Sequence, residues 1–156
     1  MMFLSKGFFM IQEYLQQLCS YYHPKPEVKF VGMPGLILYY GKSFVKISQN
    51  SCFMGNKKEC FKNAYQLSFT KNLTYCEGYA VSKILNFPVE HAWCIDNDNN
   101  VIDPTWNDGI EYFGIPFSME FIINQALKTS VYGVFGNGRC KQWVNNGFKE
   151  TELKNF

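Results

Sequence analysis

Residues 89–106 read VEHAWCIDNDNNVIDPTW, and this stretch decides the fold class. Val89–Ile95 and Val101–Trp106 contain the β-branched and aromatic residues that are typical of strands. The Asp and Asn residues between them are typical of a turn, because their side chains bond to nearby backbone and tolerate left-handed conformations. The sequence therefore predicts a β-hairpin, which forms part of an antiparallel sheet.

The predicted hairpin brings an imidazole and a carboxylate to the same face of the sheet. Alternation along the first strand puts His91 and Trp93 on one face and Cys94 on the other. If the turn is centred near Asp98, the numbers of paired residues sum to about 196, and His91 and Asp103 become diagonal neighbours. Diagonal neighbours lie ~7–8 Å apart or less, which is within side-chain reach. A slip of one residue would move Asp103 to the opposite face.

Upstream of the hairpin, Glu59 to about Thr70 is predicted to be a helix with a cysteine in its first turn. A helix N-terminus and nearby positive charge both favour the thiolate form of cysteine. Cys60 has the first feature by this prediction and follows Lys57 and Lys58. Because no other of the six cysteines combines these features, Cys60 is the predicted nucleophile.

Four short motifs follow one another between residues 59 and 106: ECFKNA at 59–64, YCEGYA at 75–80, HAW at 91–93 and VIDPTW at 101–106. Their order and spacing closely resemble the core of transglutaminase-like proteins, which belong with papain-like cysteine proteases and arylamine N-acetyltransferases in one broad superfamily. The resemblance covers about a third of the chain. It implies an α+β fold in which the helix carrying the nucleophile packs on an antiparallel sheet. We expect a single domain over 1–156, with a papain-like or transglutaminase-like catalytic core at approximately 48–116.

The resemblance also implies a role for each matching residue. Cys60 would be the nucleophile, His91 the general base and then acid, and Asp103 the group that fixes the imidazole tautomer. The chain would then be a cysteine hydrolase or acyltransferase that attacks amide bonds through a thioester. Water as acceptor gives a peptidase (a thiol protease), an amidase or a deamidase, whereas an amine gives a transglutaminase. We favour water, and expect a protein or peptide-like amide substrate, no cofactor and no metal.

The oxyanion hole is the part of the site that the motifs leave open. It would use the Cys60 backbone N–H and a side-chain donor from the preceding loop. Three residues are candidates, none of them in a motif that matches the family: Asn56, Asn50 and Gln49. Trp93 and Trp106 either wall the substrate site or belong to the core.

Several alternatives remain open at this stage. The fold could serve as a non-catalytic binding module that retains the three residues as structure. Cys52 is a rival nucleophile, and Cys52, Cys60 and His91 could together hold zinc. Glu77 or Glu90 could supply a carboxylate near the site, although Glu90 points away from His91 in a strand.

Composition and charge set the remaining expectations. The formal net charge is +2, and no block of Lys and Arg suggests nucleic-acid binding. The longest apolar runs are about half of the ~18–20 residues that a membrane-spanning helix needs, and no signal-peptide cleavage site is apparent. We therefore expect a cytoplasmic protein with reduced thiols; the sequence does not indicate its oligomeric state.

The other predicted elements are less specific. Helices are predicted at Ser5–Tyr22 and Ser118–Lys128, a strand at Leu73–Val81, and short β-type runs at Val28–Val31, Leu36–Tyr40 and Phe44–Ile47. A loop rich in Gly and Pro is predicted between Trp106 and the last helix. The tail from Val131 has no predicted element.

Overall fold

The computed structural model describes residues 10–23, 25–48 and 54–155. This part of the chain contains four α-helices and five β-strands, so the fold is α+β. The helices are α1 (Met10–Tyr21), α2 (Gly32–Tyr40), α3 (Cys60–Lys71) and α4 (Met119–Thr129). The strands are β1 (Lys42–Phe44), β2 (Thr74–Ser82), β3 (Val89–Ile95), β4 (Val101–Ile102) and β5 (Gly109–Pro116). Two short 3₁₀-helices follow, at Gly136–Gln142 and Glu150–Glu152.

The five strands form one antiparallel sheet in the order β1-β5-β2-β3-β4. The chain beyond β1 then crosses to the other edge, where Ile47 forms a bridge with Val101. Two backbone hydrogen bonds fix this crossing: Val101 donates to Lys46 at 2.7 Å, and Ser48 donates to Val101 at 2.8 Å. The sheet therefore curls until its two edges are joined by backbone.

The curl separates two hydrophobic clusters. The larger one, the helix-covered cluster, lies between the sheet and the helices and includes apolar residues of all four helices, together with four residues of the C-terminal tail: Val134, Phe135, Trp143 and Phe148. The smaller one receives a side chain from every strand and so fills the inside of the curl: Phe44, Cys76, Ala80, Trp93, Ile95, Val101 and Tyr112. Burying a large apolar side chain contributes ~1.5–3 kcal/mol, so each cluster fixes its side of the sheet.

The central elements that the sequence predicts are confirmed. Helices α3 and α4 and strands β2 and β3 lie within a residue or two of their predicted ranges. The hairpin register is confirmed too, because Cys94 pairs with Ile102 and Ile95 pairs with Val101. The return strand is shorter than predicted and ends at Ile102, since the next residue, Asp103, accepts hydrogen bonds from two backbone N–H groups that follow it. The predicted first helix is helical from Met10, and its earlier residues lie outside the described part.

The predicted strand at Leu36–Tyr40 is wrong, because these residues belong to α2. A short, continuous apolar run is compatible with either a buried strand or a buried helix, and its periodicity does not separate them. Met33, Leu36 and Ile37 are the buried residues of α2, and their spacing is that of a helix face. The predicted strand at Val28–Val31 is also wrong, and the run Phe44–Ile47 is only partly extended, since β1 ends at Phe44.

The loop predicted before the last helix is wrong over 109–116, where the chain forms β5 between β1 and β2. Gly114 belongs to the predicted loop, but it lies within the strand, where the absence of a side chain allows the Trp93 ring to approach the backbone. Gly114 pairs with Gly78 of β2, and a Cβ on Gly114 would lie 2.6 Å from Cη2 of Trp93. The missing side chain of Gly114 therefore makes room for the indole inside the curl.

Candidate active site

Cys60 is the first residue of α3 and therefore lies in the first turn of the helix, as the sequence predicts. A residue at this position carries a backbone N–H with no acceptor inside the helix, and the helix dipole places partial positive charge there. The Cys60 side chain is half-buried and lies close enough to His91 to affect the pKa of the imidazole through hydrogen bonding and charge. The thiol of α3 and the imidazole of β3 are therefore neighbours in the fold.

His91 contacts Asp103 on its other side. Nε2 of His91 lies 2.8 Å from Oδ2 of Asp103, and both side chains are buried. Burial opposes a charge on the imidazole, but the hydrogen bond and charge of Asp103, together with the influence of the nearby Cys60 side chain, outweigh it and raise the His91 pKa to about 9. Near neutral pH, His91 is therefore an imidazolium that donates its Nε2 proton to Asp103.

The Asp103 carboxylate accepts four hydrogen bonds. Oδ1 accepts from the backbone N–H groups of Thr105 at 2.8 Å and Trp106 at 3.0 Å. Oδ2 accepts from His91 and from the hydroxyl of Tyr112, the latter at 2.7 Å. Burial would raise the Asp103 pKa, but the bond and charge of His91 and the two backbone donors lower it below its usual value. The carboxylate is therefore ionised and held in one orientation.

Trp106 covers the imidazole. The two rings are stacked, with centroids 3.9 Å apart and planes 15° apart, and His91 is only 1% exposed. Trp93 is fully buried inside the curl, with its ring 6.4 Å from that of His91. Of the two tryptophans expected at the site, Trp106 thus shields the His91–Asp103 pair, whereas Trp93 packs behind it. A cavity of about 310 Å³ has Asp103, Trp106 and Tyr112 among its described lining residues, but not Cys60.

The loop that precedes α3 is bound to the segment that carries Asp103. The buried amide of Asn63 donates to the carbonyl of Asn56 at 2.8 Å and to the Thr105 hydroxyl at 3.1 Å. The Gly55 N–H donates to the carbonyl of Pro104 at 2.7 Å. These bonds fix the start of α3 relative to Asp103. The sequence-based interpretation gave Asn63 no such role, although a polar residue beside Ala64 on the buried face of the helix was a usable signal.

Of the three oxyanion candidates, Asn56 is the one that lies within the described residues. Asn56 lies in the loop before α3, where its side chain is exposed and its backbone carbonyl accepts from Asn63. Asn50 and Gln49 lie outside the described residues, as does the rival nucleophile Cys52. Within the described ranges, no group of His, Cys, Asp or Glu is arranged to hold a metal ion.

The two other carboxylates considered near the site have different positions. Glu90 is exposed, in agreement with the alternation of β3. Glu77 is fully buried and pairs with Ala92, whose side chain belongs to the helix-covered cluster. It accepts hydrogen bonds from the Tyr75 hydroxyl and from the backbone of Val134 and Phe135. Glu77 therefore fixes the C-terminal tail against the sheet.

Tyr112 is a site residue that the sequence did not reveal, since β5 was predicted to be a loop. The five cysteines in the described ranges, Cys19, Cys60, Cys76, Cys94 and Cys140, are free thiols. None of the helices described is both long and apolar enough to span a bilayer. Comparison of the chain with protein-family models, with curated proteins and with solved structures finds no match.

Proposed function

We propose that this protein is a cysteine-dependent acyl-transfer enzyme that cleaves amide bonds through a thioester at Cys60. The observation that carries the proposal is that the His91 imidazole contacts the Asp103 carboxylate and has the Cys60 thiol near enough to affect its pKa. A nucleophile, a base and a group that orients the base are the three parts that covalent catalysis by cysteine needs. In this proposal, the curled sheet and α3 form a papain-like or transglutaminase-like core.

The acylation step uses the thiolate and imidazolium forms. The Cys60 sulfur attacks the amide carbonyl carbon, and a C–S bond forms while the carbonyl oxygen takes the negative charge. The Cys60 backbone N–H is one donor to this oxygen, and Asn56, Asn50 or Gln49 is the proposed second donor. His91 then gives the proton of its other ring nitrogen, Nδ1, to the amide nitrogen, the C–N bond breaks, and the amine or ammonia leaves.

The deacylation step returns the enzyme to its first state. His91, now neutral, takes a proton from water, and the resulting hydroxide oxygen attacks the thioester carbonyl. The C–S bond breaks, the acid leaves, and the Cys60 thiolate is again paired with protonated His91. Asp103 remains ionised throughout and keeps the imidazole in one orientation, while Trp106 shields the pair from water.

Selective alkylation tests the nucleophile. Iodoacetamide at neutral pH should label Cys60 faster than the other five cysteines, and His91→Ala should remove most of this advantage. The matched control is Cys19→Ser, which removes a half-buried thiol from α1 and should leave Cys60 labelling unchanged. Equal labelling of all exposed thiols, measured by peptide mass spectrometry, would contradict the proposal.

The acyl acceptor is tested separately. Glutamine-containing peptides and peptide amides are incubated with the protein, and release of ammonia or of peptide fragments is measured with and without a primary amine. Ammonia release in water indicates a deamidase or amidase, fragments indicate a peptidase, and covalent incorporation of the amine indicates a transglutaminase. Cys60→Ala should abolish whichever reaction is found.

A non-catalytic binding module is the second candidate, and the burial of His91 under Trp106 is the observation that favours it. A substrate must reach the imidazole during proton transfer, and the imidazole is almost fully covered. The half-buried Cys60 thiol distinguishes the candidates, because a module would keep it no more reactive than an ordinary cysteine. The alkylation experiment therefore decides between them.

A further inference from the structure

Two tyrosines of the described strands donate their hydroxyls to buried carboxylates, Tyr75 to Glu77 and Tyr112 to Asp103, and the second contact belongs to the proposed site. The Tyr112 hydroxyl donates to Oδ2 of Asp103 at 2.7 Å, and Nε2 of His91 donates to the same oxygen at 2.8 Å. Oδ2 of Asp103 therefore accepts hydrogen bonds from two donors at once, the neutral Tyr112 hydroxyl and the His91 imidazolium. The other oxygen of Asp103 accepts the two backbone donors described above.

The packing around Tyr112 holds its hydroxyl at Asp103. Its ring is fully buried and packs edge-on against Trp93, with centroids 5.1 Å apart. Gly109 leaves space for the hydroxyl, since a Cβ at this position would overlap it. Burial, the charge of Asp103 and the hydrogen bond to it raise the Tyr112 pKa far above the ordinary value, so the hydroxyl remains a donor.

We infer that Tyr112 is a positioning residue that weakens the stabilisation of the protonated His91 imidazole by Asp103, and this inference rests on the proposed function. A hydroxyl that donates to Oδ2 reduces the negative charge available to the imidazolium, without adding a charge of its own. In each cycle His91 releases the proton of its other ring nitrogen, Nδ1, to the leaving amine and takes another there from water. An Asp103 that stabilised the imidazolium too strongly would slow the first transfer, so the Tyr112 hydroxyl keeps the imidazolium able to act as an acid.

Few other charges act on the pair. Cys60 of α3 and Asp103 are the titratable groups that face His91. Asp103 faces His91 and Tyr112 and lies within electrostatic range of Cys94, whose thiol stays neutral because burial raises its pKa. Tyr112 is in addition affected by Asp108. Removal of one hydroxyl should therefore act on His91 through Asp103 alone.

The experiment is a titration of the His91 imidazole by NMR in the full chain, which contains only two histidines. Tyr112→Phe keeps the buried ring and should raise the midpoint of the His91 titration by roughly 0.5–1 pH unit, since the whole charge of Oδ2 then acts on the imidazolium. Tyr79→Phe is the matched control: it removes a hydroxyl from β2, where the ring belongs to the helix-covered cluster, and should leave the midpoint unchanged. A purely structural role of Tyr112 would lower stability without moving the midpoint.

An unchanged or lowered midpoint in Tyr112→Phe would overturn the inference. Gly109→Ala is the second variant, because it displaces the hydroxyl without removing it, and it should raise the midpoint in the same direction. It decides the question if Tyr112→Phe does not fold. Alkylation of Cys60 in the unchanged protein is measured in parallel: selective labelling with no midpoint shift rejects the role of Tyr112 alone, whereas unselective labelling rejects the proposed function.

Discussion

Asp103, directly after β4, and Glu77, within β2, are two buried carboxylates whose hydrogen-bond partners are alike except for one titratable group. Each accepts a tyrosine hydroxyl and two backbone N–H groups: Tyr112, Thr105 and Trp106 for Asp103, and Tyr75, Val134 and Phe135 for Glu77. Asp103 also accepts a bond from the imidazole of His91, whereas Glu77 has only the more distant charge of Arg139.

The imidazole reverses the effect of burial on the carboxylate. Burial raises the pKa of Glu77 despite its three hydrogen bonds, while the added bond and charge of His91 lower the pKa of Asp103. Glu77 therefore stabilises the packing of the tail on the sheet, and Asp103 fixes a group that can exchange protons. Burial alone therefore does not distinguish a carboxylate of the candidate site from a structural one. The titratable partner, here His91, makes the difference.

The largest expected effect is a difference in catalytic activity between a variant of Asp103 and a variant of Glu77. Under the proposed function, Asp103→Asn should reduce turnover of an amide substrate by about 10³–10⁴-fold, because an amide stabilises the wrong imidazole tautomer. Glu77→Gln should change turnover by less than about tenfold, since Glu77 does not contact His91. Steady-state kinetics on both variants at the same pH, with folding checked by circular dichroism, provide the measurement. Equal losses in the two variants would refute the distinction.

The second effect is a loss of folding stability when the Glu77 carboxylate is removed. Glu77→Ala should lower the free energy of unfolding by about 3 kcal/mol, because it leaves buried backbone donors and the Tyr75 hydroxyl without an acceptor. Glu90→Ala is the control from the neighbouring strand, and its exposed side chain predicts a change within ~0.5 kcal/mol. Urea denaturation measures both. A small loss for Glu77→Ala would mean that the tail does not depend on this carboxylate.

The third effect appears in the pH dependence of stability. The pKa of His91 is raised in the folded protein from 6.5 to about 9, so its contribution is complete below pH 6.5 and is lost as the pH rises through about 9. The free energy of unfolding should fall by ~1–3 kcal/mol over this window. His91→Gln should flatten the profile there, whereas His23→Gln should not, because His23 is exposed. The expectation fails if the profile of the unchanged protein is already flat.

The smallest effect concerns the two tyrosines. Tyr75→Phe removes the hydroxyl that donates to Glu77 at 2.8 Å and should lower the free energy of unfolding by ~1–2 kcal/mol. It should leave the His91 titration unchanged, because Glu77 is not hydrogen-bonded to the imidazole. The same NMR titration used for Tyr112→Phe measures this. A shift of the His91 midpoint in Tyr75→Phe would show that the two carboxylates act as one network.

The sequence predicted the parts of the molecule whose patterns are local. The hairpin of β3 and β4 has a clear turn and an alternating first strand, so its register, and with it the His91–Asp103 contact, followed from the residue numbers. Helix α3 has an apolar face and a cysteine at its start. These features depend on neighbours within a few residues of one another.

The sequence did not predict the features that depend on distant packing. β5 is buried on both faces of the sheet and has no alternation to reveal it, and its Gly114 serves Trp93 of another strand. Because β5 was missed, Tyr112 was missed with it. Helix α2 is short and apolar, and only its packing under α1 and β5 distinguishes it from a strand.

The short segment from Val101 to Pro104 has a consequence for the order of folding. The His91–Asp103 contact closes a loop of only 12 residues. The bonds from Ser48 to Val101 and from Gly55 to Pro104 join chain positions about 50 residues apart. Contacts of long sequence separation form late, because the entropy of closing the loop must be offset by structure that already exists. The hairpin with its imidazole and carboxylate is thus expected to form early, and Cys60 to join it only when the fold is nearly complete.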